Sequence, residues 1–422
     1  MRHPEVGAPT GRPDTIVVIG AGAAGLMAAI HAAAGPHRTV LLDRTPDGGR
    51  KILISGGGRC NVLPAELDAA RFVTASSPNS LRKILRGWPH AAMREFFEHE
   101  ARLPLRLEEA TGKLFPVADR SRAVRDALAA LAVERGVAFH GGTEVVGLHP
   151  APDGWRVELR DGKALDASAV VLATGGLSVP QTGSDGFGLR QLATLGHAVH
   201  PTYPALTPLT LDPPAFADLA GVSLEVTIDA ASTLEHRSAT GGFLFTHRGY
   251  SGPALLDVSH VAVRARLARE PHATLRVRWG ALPDREWRAR LAPGAQQVGT
   301  AVRQLLPNRL VDRLLVDAAI DPTLQLAQLP RAARQRLMGV LTTYPLPWTS
   351  DEGYKKAEVT GGGVALEEVQ PATMESRILP GLYLAGELLD AFGPIGGYNF
   401  SWAWITGRLA GLGAARRLQA RR

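Results

Sequence analysis

The chain has 422 residues, enough for about two to three domains, and its 45% hydrophobic and 21% charged residues are typical of a globular protein. No apolar run approaches the ~18 residues of a membrane span, and a single cysteine excludes an intramolecular disulfide and a cysteine-rich metal site. Most of the basic residues behind the net charge of +7 are arginines scattered along the chain, with one cluster at Arg416, Arg417, Arg421 and Arg422, and no localised basic patch with interleaved aromatic residues is evident. We therefore expect a cytoplasmic protein with no membrane segment and no metal, for which nucleic acid is an unlikely partner and the oligomeric state is unknown.

Residues 1–14 contain no apolar segment and predict a flexible leader rather than a signal peptide. Thr15–Ile19 (TIVVI) is typical of a strand buried on both faces, and Gly20, Gly22 and Gly25 follow it in G-x-G-x-x-G spacing at the start of an alanine-rich helix. Strand, glycine turn and helix in this order form the context of the dinucleotide fingerprint. The first glycine permits the turn, the second lets a pyrophosphate approach, and the third lets helix and strand pack closely.

An acidic residue completes this first motif. The next apolar strand, Thr39–Leu42, ends at Asp43. A carboxylate at this point accepts hydrogen bonds from ribose hydroxyls and repels a 2′-phosphate. The sequence therefore predicts tightly bound FAD or NAD rather than NADP, the alternative being an ordinary strand–helix–strand unit with an incidental acid.

The segment that follows carries a glycine triplet, Gly56–Gly58, and three cations, Arg50, Lys51 and Arg59. The triplet predicts a loop, because it suits neither the interior of a helix nor that of a strand. The cations suit a phosphate or the negative charge of a reduced flavin. Cys60 directly follows Arg59, which is compatible with a depressed thiol pKa, although the absence of a second cysteine favours a packing role.

Helical and strand patterns then alternate up to a second glycine turn. The patterns predict helices at 80–100 and 121–135, strands at 137–139 and 143–148, a hairpin of 154–160 with 164–167, and a strand at 169–173. The last strand runs into Thr174, Gly175 and Gly176. An apolar strand ending in ATGG resembles the second signature of flavoproteins with two dinucleotide-binding motifs.

Composition changes near His197, and short alternating stretches up to residue 348 predict an inserted antiparallel β domain with helices at 308–319 and 331–341. Within it, His247, Arg248 and Tyr250 are expected to face a substrate. His247 is a candidate general acid or base, the alternative being a structural or surface histidine.

From residue 349 the chain is expected to return to the first domain. The glycine triplet Gly361–Gly363 is placed between short strands, and Gly381–Gly386 is typical of a buried strand entering a turn. Gly396 and Gly397 precede a helix whose N-terminus presents free N–H groups. In flavoproteins that this segment resembles, such a terminus points at the pyrimidine end of the flavin, where negative charge develops on reduction.

Six segments together resemble the BaiN-like (YhiN-like) family of NAD(P)/FAD-dependent oxidoreductases: GAGAAGLMAA, GRKILISGGGRCNV, ATGGLSVPQTGSDGFG, LFTHRGYSGPALLDVS, AEVTGGGVALEEV and GLYLAGELLDAFGPIGGYNFSWAWITG. The most specific are ISGGGRCN and GGYN-x-x-WAW. The resemblance implies an α/β fold with a discontinuous Rossmann-like FAD-binding domain, at 15–196 and 349–422. A barrel-like antiparallel β domain with a small helical piece is inserted at 197–348.

The resemblance also implies FAD contacts at Gly20, Gly22, Gly25, Asp43, Arg50, Lys51, Gly57, Arg59, Gly175, Gly386, Asp390, Gly397 and Asn399. Their neighbours complete the candidate cofactor-binding set: Ala21, Ala23, Ala24, Arg44, Cys60, Asn61, Val145, Thr174, Gly176, Glu387, Gly396 and Tyr398. The catalytic residues are unknown, with His247, Tyr398 and Cys60 as candidates.

These observations predict an FAD-dependent oxidoreductase that acts on a small organic molecule. Because no second G-x-G-x-x-G follows a strand, NAD(P)H is expected only as a transient reductant. Two alternatives remain open, an FAD-dependent RNA-modifying protein and a non-catalytic flavin-binding protein.

Overall fold

The computed structural model describes residues 14–420, which divide into two compact units. Unit 1 comprises the chain up to Thr202 together with the chain from Val359, and unit 2 is the intervening segment Tyr203–Glu358. The sequence placed the ends of the insert at 197 and 348, whereas the contacts place them at 203 and 358. The expected leader, residues 1–14, lies outside the described residues apart from Asp14.

The first part of the chain starts with the strand–helix–strand unit that the glycine fingerprint predicted. The strands are β1 (Thr15–Ile19), β2 (Arg38–Asp43), β3 (Leu63–Pro64), β4 (Leu105–Glu108), β5 (Lys113–Pro116), β6 (Ala138–Gly141), β7 (Val145–Ala151), β8 (Gly154–Leu159), β9 (Ala164–Ala167), β10 (Ala169–Leu172) and β11 (Val199–Ala205). The helices are α1 (Ala23–Ala32), α2 (Arg50–Ile54), α3 (Pro78–Leu85), α4 (His90–Glu95), α5 (Ser121–Glu134) and α6 (Phe187–Thr194). The helical pattern at 80–100 is divided into α3, α4 and a π-helical turn, Phe96–Glu100, because Gly87 and Pro89 interrupt it.

Unit 2 is built on an antiparallel sheet, as the sequence predicted. Its strands are β12 (Leu209–Thr210), β13 (Ser223–Ala231), β14 (His236–Phe245), β15 (Gly249–Ser251), β16 (Thr274–Trp279), β17 (Tyr344–Pro345) and β18 (Ser350–Asp351), in the spatial order β17-β16-β13-β14-β15-β12-β18. Its helices are α7 (Pro253–Leu267), α8 (Asp284–Arg290), α9 (Val298–Arg303), α10 (Asn308–Asp317) and α11 (Arg331–Thr342). Helix α7, which the sequence patterns did not predict, packs against β13 and β14. Pro253, at its first position, is a signal that would have found it.

The last part of the chain completes unit 1 with β19 (Val359–Val364), β20 (Leu382–Leu384) and α12 (Tyr398–Ala420). Within residues 14–420, the strands β20-β10-β1-β2-β6 form a five-stranded parallel sheet, so their carboxyl ends share one edge. Short 3₁₀ turns lie at Ser55–Gly58, Ala69–Arg71, Pro180–Thr182, Ala217–Leu219, Leu326–Gln328, Leu366–Glu368 and Gly386–Leu388.

The second glycine triplet lies inside a strand, so the expectation that it separates two strands was wrong. Gly361–Gly363 is buried within β19. A methyl group on Gly362 would lie 2.2 Å from the carbonyl oxygen of Pro201, in the paired strand β11. The glycine therefore permits an approach of two backbones that a side chain would prevent.

Helices α1 and α12 pack with almost no side chain between them. Methyl groups on Gly407 and Gly411 would lie 2.3 and 2.2 Å from the carbonyl oxygens of Ala24 and Ala28, respectively. The alanines of α1 and the glycines of α12, spaced by four residues, thus form one continuous close contact. This contact fixes α1, whose first turn contains Gly25, the last of the fingerprint glycines.

Residues 14–420 show neither a membrane-spanning helix nor a metal-binding cluster. No helix there combines the length and the apolar character needed to cross a bilayer. No group of three or more histidine, cysteine, aspartate or glutamate side chains there is arranged to hold a metal ion.

Candidate functional site

The three fingerprint glycines are required for three different reasons. Gly20 has φ +98°, and a methyl group on Gly25 would lie 1.7 Å from the Gly20 carbonyl oxygen, so these two serve the turn and the packing of α1. Gly22 has an ordinary φ of −75°, and a methyl group on it would meet no atom of the described residues within 4 Å. Neither backbone conformation nor packing explains the absence of a side chain at Gly22. The open space lies at the N-terminus of α1, where the first N–H groups have no helical partner.

Asp43 connects the end of β2 to this glycine turn. Its Oδ2 accepts a hydrogen bond from the Ala21 N–H at 2.6 Å. Its Oδ1 accepts bonds from the N–H and the hydroxyl of Thr45, at 2.7 and 2.5 Å. The carboxylate is therefore fixed beside α1, and its contact with a ribose remains a prediction. The next residue, Arg44, forms an ion pair with Asp185 at 2.8 Å.

The cations that the sequence grouped together each have an acidic partner. Arg50 forms an ion pair with Asp47 at 3.2 Å, and both side chains are exposed. Arg59 binds Asp119 at 2.7 Å and Glu108 at 3.0 Å, and hydrogen bonds to these two carboxylates raise its pKa. Neither arginine is an unpaired cation waiting for an anion, which the sequence could not show.

Lys51 joins a network of polar side chains that are distant in sequence. Its Nζ donates to Glu387 Oε2 at 2.5 Å and to the Ser178 hydroxyl. The other carboxylate oxygen, Oε1, accepts a bond from the Thr360 N–H at 2.8 Å and a further bond from the Ser178 hydroxyl. Lys51 and Glu387 were predicted separately as cofactor contacts, whereas Ser178 and Thr360 were missed because no local pattern marks them.

The glycine triplet after α2 forms a left-handed turn. Gly56, Gly57 and Gly58 have φ of +55°, +66° and +87°, and Cys60 has φ +62°. Cys60 is fully buried, and burial raises the pKa of its thiol to about 12 despite a hydrogen bond with Ser55. The thiol is therefore protonated at neutral pH, which contradicts a depressed pKa and supports the packing role.

Two candidate residues carry buried oxygen atoms without partners. Asn61 Oδ1 and Thr174 Oγ1 have no hydrogen-bond partner among the described residues. Thr174 lies two residues after the end of β10, at the shared carboxyl edge, and precedes Gly175 and Gly176. A buried polar atom left unpaired is costly, so both oxygens are suited to meet a ligand or water. Val145, another candidate, is a buried residue at the start of β7.

Asp390 anchors a loop of the same unit. It is buried, and its Oδ2 accepts bonds from the Ala75 N–H and from the N–H and hydroxyl of Ser76, each at 2.8 Å. The Thr74 hydroxyl donates to the same oxygen at 2.9 Å. His200 Nε2 lies 3.7 Å from it. The contacts of this oxygen are thus made with the protein, a structural role that the sequence did not indicate.

The loop before α12 is held by its own polar groups. The Asn399 side chain both donates to and accepts from the backbone of Gly393, each at 2.9 Å. Gly396 and Gly397 have φ of +111° and +96°, and a methyl group on Gly397 would lie 2.6 Å from the backbone of β3. Tyr398 is buried, and its hydroxyl already donates a bond to the Glu66 carbonyl at 3.1 Å. This geometry favours a structural role for Tyr398 over a catalytic one.

Two tryptophans of α12 position loops at the sheet edge. The Trp402 indole N–H donates to the carbonyl of Gly386 at 3.1 Å, and that of Trp404 donates to the carbonyl of Val62 at 3.0 Å. The Thr406 hydroxyl accepts a bond from the Gly386 N–H at 2.9 Å. The tryptophans of the WAW motif thus hold the turn after β20 and the end of the GGGRCNV segment.

The candidates in unit 2 differ from expectation. His247 and Arg248 are exposed in the turn between β14 and β15, and a catalytic role for His247 remains a prediction. Tyr250 is fully buried in the core of unit 2, where burial raises its pKa. The expectation that Tyr250 faces a substrate was therefore wrong, because its ring packs with Phe216 and Phe243.

The sequence matches the model of one protein family, described as "HI0933-like protein Rossmann domain", over residues 14–413. It is 34% identical to a ribosomal RNA dihydrouridine synthase of Escherichia coli, over 92% of this chain and 95% of that protein. It is 33% identical to a 3-dehydro-bile acid delta(4,6)-reductase of Clostridium scindens, over 96% of this chain and all of that protein.

Two solved structures that resemble this chain are more distant in sequence. One is a 3-ketosteroid-Δ4-(5α)-dehydrogenase of Rhodococcus jostii, with a TM-score of 0.51 and 16% identity, covering 96% of this chain and 99% of that one. Another is a 3-ketosteroid Δ1-dehydrogenase of Sterolibacterium denitrificans, with a TM-score of 0.50 and 13% identity, covering 97% and 100%. At these identities the likeness concerns the fold.

Proposed function

Because the chain belongs to the HI0933-like Rossmann family and is an FAD-dependent oxidoreductase, we propose that it reduces a carbon–carbon double bond conjugated to a carbonyl group. One observation carries this proposal. Two relatives of nearly full length, at 34% and 33% identity, have names that describe reductions of that kind. A uracil ring and a 3-keto-Δ4,6 steroid differ in size and polarity, but each contains an alkene polarised by a carbonyl group.

We propose that FAD binds at the carboxyl edge of the parallel sheet, where ligands of open α/β sheets bind. The residues present fit an adenine dinucleotide. The open space at Gly22 suits a pyrophosphate at the N-terminus of α1, and Asp43, at the end of β2 and bonded to the Ala21 N–H of the same turn, is placed to meet a ribose. The unpaired oxygens of Asn61 and Thr174 would gain partners from a bound ligand.

FAD bound there would supply the hydride chemistry for reduction of the alkene at its β carbon. A proton must reach the α carbon, and one two-electron donor is consumed for each double bond reduced. For that donor we propose NAD(P)H, docking transiently. The chain would hold the cofactor through the glycine turn, Asp43 and the loops that Trp402 and Trp404 fix, while His247 remains the proposed acid–base candidate.

The test is an anaerobic visible absorption spectrum of the purified protein, before and after NADH and NADPH are added separately. A flavin spectrum that bleaches with one donor supports the nicotinamide proposal and identifies that donor. The 3-keto-Δ4,6 steroid is then added to the reduced protein, with the saturated 3-ketone as a matched control. Reoxidation by the unsaturated compound alone supports alkene reduction. A protein that neither contains nor regains flavin would refute the cofactor.

Ribosomal RNA is the second candidate substrate, because the E. coli relative and a Haemophilus influenzae relative at 30% identity are both named ribosomal RNA dihydrouridine synthases. The net charge of +7 is compatible with a polyanion. Unmodified ribosomal RNA should reoxidise the reduced protein and gain dihydrouridine, with binding that weakens steeply as salt rises. If the RNA stays unmodified while the steroid is reduced, the substrate is a small molecule and not ribosomal RNA.

A further inference from the structure

The network around Lys51 lies where three parallel strands end. Lys51 is in α2, which follows β2, while Ser178 and Glu387 follow β10 and β20. This is the carboxyl edge of the sheet at which we propose that FAD binds. A methyl group on Gly176 would lie 2.4 Å from Thr360 Oγ1 and 3.0 Å from Glu387 Oε1, so the glycine turn after β10 packs directly on the network.

The network holds a charged pair in a fixed geometry. Ser178 and Thr360 are buried, with 0 and 1% exposure, and Thr360 Oγ1 accepts bonds from the N–H groups of Leu177 and Ser178 at 2.7 and 3.1 Å. The Glu387 carboxylate accepts bonds on both oxygens. Its side chain is 14% exposed, whereas that of Lys51 is 29% exposed. The anion is therefore enclosed by protein while the cation reaches the surface of the edge.

Lys51 retains a donor for a ligand. An ammonium group has three N–H donors, and among the described residues two of them are used, by Glu387 and by Ser178. Because the Lys51 side chain is partly exposed, the third donor is available to a negatively charged neighbour. Arg50, on the same helix, differs because it pairs with the exposed Asp47 and joins no buried network.

We propose that Lys51 and Glu387 form an electrostatic couple that sets the reduction potential of the bound flavin, with Ser178 and Thr360 as positioning residues. The inference rests on the proposed FAD site. Reduction increases the negative charge on the isoalloxazine ring, so a nearby cation favours the reduced form and a nearby anion favours the oxidised form. The two members of the pair therefore act in opposite directions.

The test is the midpoint potential of the flavin in Lys51→Met, in Glu387→Gln and in the double variant. We expect Lys51→Met to lower the equilibrium constant for reduction about tenfold and Glu387→Gln to raise it about tenfold, which is about 30 mV each for two electrons. The midpoint potential of the double variant should lie between those of the two single variants. Lys163→Met is the matched control, because Lys163 also pairs with a carboxylate, Asp161, but on an exposed hairpin. It should leave the potential unchanged.

Shifts of the midpoint potential in opposite directions distinguish this role from a merely structural one, which would shift the potential of both single variants in the same direction. If a variant loses FAD during purification, the ratio of its dissociation constants for oxidised and reduced FAD gives the same shift by linkage. Lys51→Arg, which keeps the charge, should remain close to wild type. Shifts of the same sign, or no shift with FAD bound, would overturn the inference. Absence of flavin from the wild type would instead overturn the proposed cofactor.

Discussion

Replacement of Gly22 by alanine separates cofactor binding from folding. The new methyl group would meet no described atom within 4 Å, and φ of −75° suits alanine, so the free energy of unfolding of the apoprotein should change by less than about 0.5 kcal/mol. The same methyl group would occupy the space proposed for the pyrophosphate. Loss of one or two hydrogen bonds to a charged group costs about 3 kcal/mol, or roughly a hundredfold in the Kd for FAD.

Gly25→Ala provides the contrast. Its methyl group would lie 1.7 Å from the backbone oxygen of Gly20. The backbone must move to avoid this contact, which should lower the free energy of unfolding by about 3 kcal/mol or more. Gly339→Ala, in a helix of unit 2 and also without a close neighbour, controls for the substitution itself and should stabilise slightly. Urea unfolding of the apoproteins and calorimetric titration with FAD measure the two effects. Wild-type affinity in Gly22→Ala, or unfolding as severe as in Gly25→Ala, would refute the reasoning.

Three further outcomes are expected. Burial lowers the pKa of His31 from 6.5 to about 3, so between these values only the unfolded chain takes up a proton as pH falls. In urea titrations the wild type should therefore lose about 1.4 kcal/mol more free energy of unfolding between pH 7.5 and 5.5 than His31→Gln loses. Equal losses would contradict the pKa shift. Trp402→Phe removes the indole hydrogen bond to the Gly386 carbonyl, which keeps a bond from the Leu389 N–H at 3.2 Å, and should cost about 0.5–1.5 kcal/mol; an unchanged unfolding midpoint would show that water replaces the indole. The Cys60 thiol, with its pKa raised to about 12, should react with a disulfide reagent at pH 8 only after unfolding, and rapid labelling of the native protein would indicate an accessible thiolate.

The parts of the fold that depend on local pattern were predictable from sequence. The first strand, the glycine turn and Asp43 follow one another within a short stretch, and their spacing carries the geometry of the βαβ unit. The short strands of unit 2 were predicted from alternation in the same way. The antiparallel sheet and the Rossmann-like parallel sheet are confirmed.

The partners of the site residues were not predictable, because the chain brings them together from distant positions. Lys51 and Glu387 were each identified, but nothing local relates them across 336 positions. The burial of Tyr250 was missed for a related reason, since β15 has three residues and is too short for alternation to show which side faces the core.

The contact between α1 and α12 also constrains when the protein can fold during synthesis. Helix α12 and the edge strand β20 emerge from the ribosome after all of unit 2. A nascent chain that ends before them therefore lacks one edge strand of the parallel sheet and the helix that packs on α1. Strand β10 and its neighbour β20 are separated in sequence by the whole insert, which makes their pairing highly non-local. The order of translation thus delays completion of the cofactor-binding unit until the final helix has been made.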